Sequence, residues 1–129
     1  MSTTNLLFVP VVEEFEELPT DLVLYAPVTG TPRQIVEHFQ NAMGTKPWPW
    51  KAGGWNNLSE ALQEATVLRP GRLVIKVQRL PRRLKPEELR IYLEILADVA
   101  QGQIFQYPPA VVVFPEKDRH EVLHFLEQP

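Results

Sequence analysis

Hydrophobic and polar positions change their period several times along the chain, and each change marks an element. Leu6-Leu7-Phe8-Val9 is a short apolar run, followed by the carboxylates of Glu13-Glu14-Phe15-Glu16-Glu17, so residues 1–20 read as an N-terminal extension carrying a short strand. Leu22-Val23-Leu24-Tyr25 is a brief apolar strand stopped by Pro27 and Gly30. Thr31-Pro32-Arg33-Gln34 has the form of a capping box with proline at the first helical position. It predicts a helix to about Met43, with Ile35, Val36, Phe39, Ala42 and Met43 on one face and Gly44 as the stop.

A stiff aromatic loop, Lys46-Pro47-Trp48-Pro49-Trp50, leads to a second helix over roughly 56–66, with Leu58, Ala61, Leu62 and Ala65 turned to the core. Leu73 to Val77 is the next strand. Pro86 begins a third helix through about Ala100, whose stripe is Leu89, Tyr92, Leu93, Leu96 and Val99, with Glu87 and Glu88 favourably placed at its N-terminus. Ala110-Val111-Val112-Val113-Phe114 is the strongest strand, an unbroken apolar run that predicts burial on both faces. Pro115 then opens an amphipathic C-terminal helix carrying Val122, Leu123, Phe125 and Leu126. This alternation predicts an α/β domain over residues 21–129, with a small three-stranded parallel sheet flanked by helices and an extra helix at the C-terminal end.

Composition narrows the chemistry. A chain of 129 residues is the size of one domain, and no apolar run approaches the roughly 18 residues that span a bilayer. The N-terminus lacks a basic region followed by an apolar one, which predicts a soluble, cytoplasmic protein. The absence of cysteine excludes disulfides, thiolate catalysis and thiolate metal sites. The net charge of −3 conceals an asymmetry: Arg69, Arg72, Lys76, Arg79, Arg82, Arg83 and Lys85 stand together with no acid among them. The rest of the chain keeps six of the 13 basic residues against all 16 acidic ones, a balance of −10. The sequence therefore predicts a molecular dipole whose poles suit opposite partners.

The densest cluster of candidate functional residues is Trp50-Lys51-Ala52-Gly53-Gly54-Trp55-Asn56-Asn57-Leu58-Ser59-Glu60-Ala61-Leu62. Asn57 suits the N-cap of the second helix, with Glu60 three residues on in the sense of a capping box, and the two glycines permit a sharp turn before it. On these residues and the order of elements, the stretch from Leu22 to Phe114 resembles the barstar family, small intracellular inhibitors of bacterial ribonucleases. Trp50 stands at an aromatic position of that family's motif, Gly53-Gly54 at its glycine-asparagine region, Trp55 at its apolar position, Asn56 at its first aspartate and Glu60 at its second acid. The resemblance implies a barstar-like fold and a protein partner, a small basic bacterial ribonuclease. Its cationic active site would be plugged by Trp48, Trp50, Trp55, Asn56, Ser59 and Glu60, the carboxylate standing in for a substrate phosphate. A carboxylate so placed makes charge-assisted hydrogen bonds, and rigid tryptophans supply contact area at low entropic cost. The same reading implies an immunity-type protein with no catalysis and no cofactor.

Two other chemistries are weighed against it. Arg79, Arg82, Arg83 and Lys85 could contact phosphates, giving a nucleic-acid-binding or adaptor surface. The alternative reading puts Arg72 and Lys76 at solvent-facing ends of a strand and Arg79, Arg82 and Arg83 in a solvated loop paired with acids elsewhere. His120-Glu121-Val122-Leu123-His124 spells the two-histidine zinc protease pattern, yet His38 is the only other histidine, and a helix packed through Val122 and Leu123 turns part of the motif to solvent. No metal site is therefore expected.

Overall fold

The computed structural model describes residues 6–43, 54–55, 58–62, 71–101 and 110–127. Four short apolar runs form one parallel sheet: β1 (Leu6–Val9), β2 (Leu22–Tyr25), β3 (Leu73–Lys76) and β4 (Val111–Pro115), in the order β1-β4-β3-β2. The sequence predicts a three-stranded sheet with the short strand at Leu6–Val9 left in the extension, whereas β1 joins the sheet as its fourth strand. It pairs with β4 from Leu6 opposite Val112 to Val9 opposite Pro115. Every residue of β4 is buried, so the strand needs a neighbour on each side, and the apolar run of β1 supplies the second.

The helices are α1 (Pro32–Met43), α2 (Pro86–Gln101) and α3 (Arg119–Glu127), and residues 58–62 are also helical. The predicted capping box of α1 is present in both directions. The Thr31 amide donates to Gln34 Oε1 at 2.9 Å, and the Gln34 amide donates to Thr31 Oγ1 at 3.3 Å. Gly30 precedes it with φ of +140°, a conformation open to glycine and strained for other residues. The stripe of α1 is Ile35, Val36, Phe39, Gln40 and Met43, with Ala42 exposed, contrary to the sequence expectation. At 3.6 residues per turn Ala42 lies about 90° from the centre of that stripe and Gln40 about 70°. α2 carries a comparable N-terminal contact, the Lys85 amide donating to Glu88 Oε1 at 2.9 Å. A single 3₁₀ turn, Glu116–Asp118, separates β4 from α3.

The two faces of the sheet are covered differently. Leu24, Leu73, Ile75, Val112 and Phe114 face the helices and share one core with Phe39, Leu58, Leu62, Tyr92, Leu96 and Val122. On the opposite face, Val74, Val111 and Val113, flanked by Leu7, Val9 and Val23, pack under Val12 and Phe15. Val12 and Phe15 belong to residues 10–21, which run from β1 at one edge of the sheet to β2 at the other. The predicted flanking helices thus occupy one face, and this crossing segment, hereafter the strap, occupies the other. Its end sits tightly: a Cβ on Gly71 would lie 1.8 Å from the Thr20 carbonyl oxygen, so only glycine admits the strap there.

Candidate partner-binding site

Of the six residues expected at the partner surface, Trp55, Ser59 and Glu60 lie within the described residues, while Trp48, Trp50 and Asn56 lie outside them. Leu58, Ala61 and Leu62 are buried, which fixes the face that residues 58–62 turn to the core. At 3.6 residues per turn, Glu60 falls about 150° from the centre of that buried stripe and Ser59 about 110°. Glu60 is accordingly exposed and Ser59 half-buried. Trp55 is half-buried against the core, its ring 5.9 Å from that of Tyr92 and tilted by 31°. Tyr92 in turn meets Phe39 at 6.4 Å, so an aromatic column runs from α1 through α2 to Trp55. The arrangement holds one half-buried tryptophan and presents one carboxylate to solvent from a helix seated on the core.

Tyr92 is the residue at this site that the sequence reading placed only in the core. Its ring is fully buried and its hydroxyl has no hydrogen-bond partner among the described residues. Burial alone pushes the phenol well above the usual tyrosine range. Periodicity marks position 92 as buried but is blind to what the hydroxyl meets. Further along α2, burial also raises the carboxyl of half-buried Asp98.

The basic segment departs from expectation chiefly at Lys76. Lys76 is not at a solvent-facing strand end: it is 1% exposed, on the strap-covered face. Its ammonium donates to Glu17 Oε1 at 2.6 Å and to the Phe15 and Glu13 carbonyls at 3.4 and 3.5 Å, and lies 5.6 Å from the centre of the Tyr25 ring. Arg72 donates to both Asp21 oxygens, at 3.2 and 2.8 Å, with its guanidinium 5.6 Å from the Phe15 ring centre. Gln78 Nε2 donates to Glu13 Oε1 at 2.7 Å. Glu13, Glu17 and Asp21, four residues apart, thus meet Gln78, Lys76 and Arg72 in antiparallel order. The Arg72 guanidinium holds the Asp21 carboxyl below the ordinary aspartate range. Arg82 donates to Glu121 at 2.5 Å and lies 3.7 Å from Asp118. All four residues considered for phosphate contact are exposed, and of them Arg82 is paired with acids of the chain.

His120 and His124 are both exposed on α3, and Glu121 between them is engaged by Arg82. Among the described residues no group of three or more histidine, aspartate or glutamate side chains is placed to hold a metal ion. Among them, too, no helix is long and apolar enough to cross a membrane. Comparison with protein-family models, with curated proteins and with solved structures finds no match for this chain.

Proposed function

We propose that the chain is a cytoplasmic binding protein, without catalysis of its own, that resembles barstar and blocks a small basic ribonuclease through the start of the helix containing residues 58–62. The observation that carries the reading is the seating of that helix. Leu58, Ala61 and Leu62 are locked into the core and Trp55 rests on Tyr92, which leaves Glu60 facing outward from a rigid base. A carboxylate carried on a seated helix enters a cationic cleft with its backbone already ordered, so that the side chain's own rotamer freedom is the main ordering cost. The order of elements from β2 through α1, residues 58–62, β3 and α2 to β4 also follows the plan that the resemblance implies. The resemblance assigns Trp48, Trp50 and Asn56 to the same role, with half-buried Ser59 beside Glu60.

The nucleic-acid reading has weaker support, because Arg72, Lys76 and Arg82 spend their charge on Asp21, Glu17 and Glu121. Arg79, Arg83 and Lys85 are what that reading retains. Affinity capture from a lysate of the source organism separates the two. Wild type should retain a small basic protein with ribonuclease activity, Glu60→Arg should lose it, and Arg79→Glu with Arg83→Glu should keep it. Capture that survives Glu60→Arg but fails with the arginine pair would reverse the assignment.

A further inference from the structure

β1 and β4 end side by side, and the chain leaves their carboxyl ends in opposite directions. After β1, Pro10 to Glu13 turn onto the valine face, where Val12 is buried with Val74, Val111 and Val113. After β4, the 3₁₀ turn Glu116–Asp118 leads to α3, whose Val122 joins the core on the helix-bearing face. In open parallel sheets, such a divergence at adjacent carboxyl ends creates the crevice where ligands bind. Here it forms a cavity of about 240 Å³ lined by Pro10, Val12, Glu13, Gln78, Pro115 and Lys117.

The lining sets the ligand chemistry. Pro10, Val12 and Pro115 make the apolar part of the lining, and Glu13, Gln78 and Lys117 the polar part. The bond from Gln78 Nε2 to Glu13 Oε1, 2.7 Å long, orients the carboxylate and leaves Glu13 Oε2 and Gln78 Oε1 as acceptors. Lys117, exposed and part of the same lining, offers only donors. A simple anion would face the Glu13 carboxylate, and a simple cation would face the Lys117 ammonium. A molecule carrying both charges satisfies both. At roughly 30 Å³ per water, the cavity holds the equivalent of about eight waters, room for a ligand of comparable heavy-atom count.

We propose that this crevice binds a small zwitterion of the amino-acid class, its ammonium on Glu13 and Gln78 and its carboxylate on Lys117. The site is independent of Glu60 and of the surface around residues 54–62. Because Glu13 belongs to the strap and Lys117 to the turn before α3, an occupant ties the two together.

The test is a titration of the full chain, labelled with nitrogen-15, by L-valine, L-lysine and L-glutamate, followed through the Gln78 side-chain amide and the backbone amides of residues 11–13 and 116–118. Isobutylamine and isovalerate, which each lack one charge of L-valine, serve as half-ligands. At least one amino acid should shift these signals with a dissociation constant of about 1 mM or tighter, within reach of a ligand of this size. The half-ligands should bind at least about tenfold more weakly than L-valine, and Glu13→Gln and Lys117→Gln should each weaken the amino acid by a similar factor. Amide spectra outside the crevice should be unchanged in both variants. Failure of all three amino acids to shift the signals by about 10 mM would overturn the proposal, as would half-ligands that bind as well as L-valine or variants that bind as well as wild type.

Discussion

Tyr92 carries a hydroxyl into the core, where it meets no hydrogen-bond partner among the described residues. A buried polar group left unpaired costs about 1–3 kcal/mol, whereas its ring supports Trp55 and Phe39 whether or not the hydroxyl is present. Tyr92→Phe should therefore be neutral or raise unfolding free energy by up to about 2 kcal/mol, read by urea denaturation, and leave partner capture intact. Lys76 presents the opposite case. Its ammonium is buried and satisfied, so removing Glu17 strands a charge, while replacing Lys76 by an apolar residue of similar length strands none. Glu17→Gln is expected to destabilise by about 1–3 kcal/mol, less than for a fully buried pair because Glu17 is partly exposed. Lys76→Met should cost less, or stabilise. A lysine in a four-residue strand reads from sequence as a strand end reaching water, because nothing local says that a distant carboxylate will cover it.

At the level of elements, what each segment says about itself was legible and what it says about distant segments was not. The capping box at Thr31 and Gln34 formed as the residues predict, because all of its partners lie within one turn. The unbroken apolar run at Val111 to Phe114 became a strand buried on both faces, as such a run requires. The strap was hidden, because its acids are spaced by four while their partners on β3 and beyond follow a strand's alternation, more than 50 residues away. β1 was read as part of an extension for the same reason: its pairing with β4 spans nearly the whole chain. Trp55, Ser59 and Glu60 follow from helical periodicity once the helix is seated, whereas the Tyr92 platform beneath Trp55 needs the fold. Two predictions belong here. Gly71→Ala should displace Thr20 and the strap end, lowering unfolding free energy by more than about 2 kcal/mol and raising amide exchange in residues 16–21. Asp21→Asn should destabilise at neutral pH. The Asp21 carboxyl titrates below its unfolded value, so its contribution is fully present above about pH 4 and is lost as pH falls through the lowered native value. The gap between wild type and Asp21→Asn in denaturant midpoint should accordingly close in acid.

Over the whole molecule, folding pairs three of the seven clustered cations seen in the sequence. Carboxylates from the strap and from α3 settle on Arg72, Lys76 and Arg82, so part of the dipole predicted from the linear sequence becomes a set of internal ties. The fold that results is a four-stranded parallel sheet with helices on one face and the strap on the other, and its chemistry is that of presentation. The proposed inhibitor surface presents the exposed carboxylate of Glu60 on a seated helix, and the most direct test is its effect on a ribonuclease. Ribonuclease activity of a lysate from the source organism would be titrated on a fluorogenic RNA with wild type, Glu60→Arg and the Arg79→Glu, Arg83→Glu pair. Loss of one partner of a buried charge pair costs about 2–5 kcal/mol, so Glu60→Arg should need at least about 30-fold more protein for the same inhibition, with the arginine pair indistinguishable from wild type. Inhibition by Glu60→Arg at the wild-type concentration, or none by wild type at any concentration, would contradict the account.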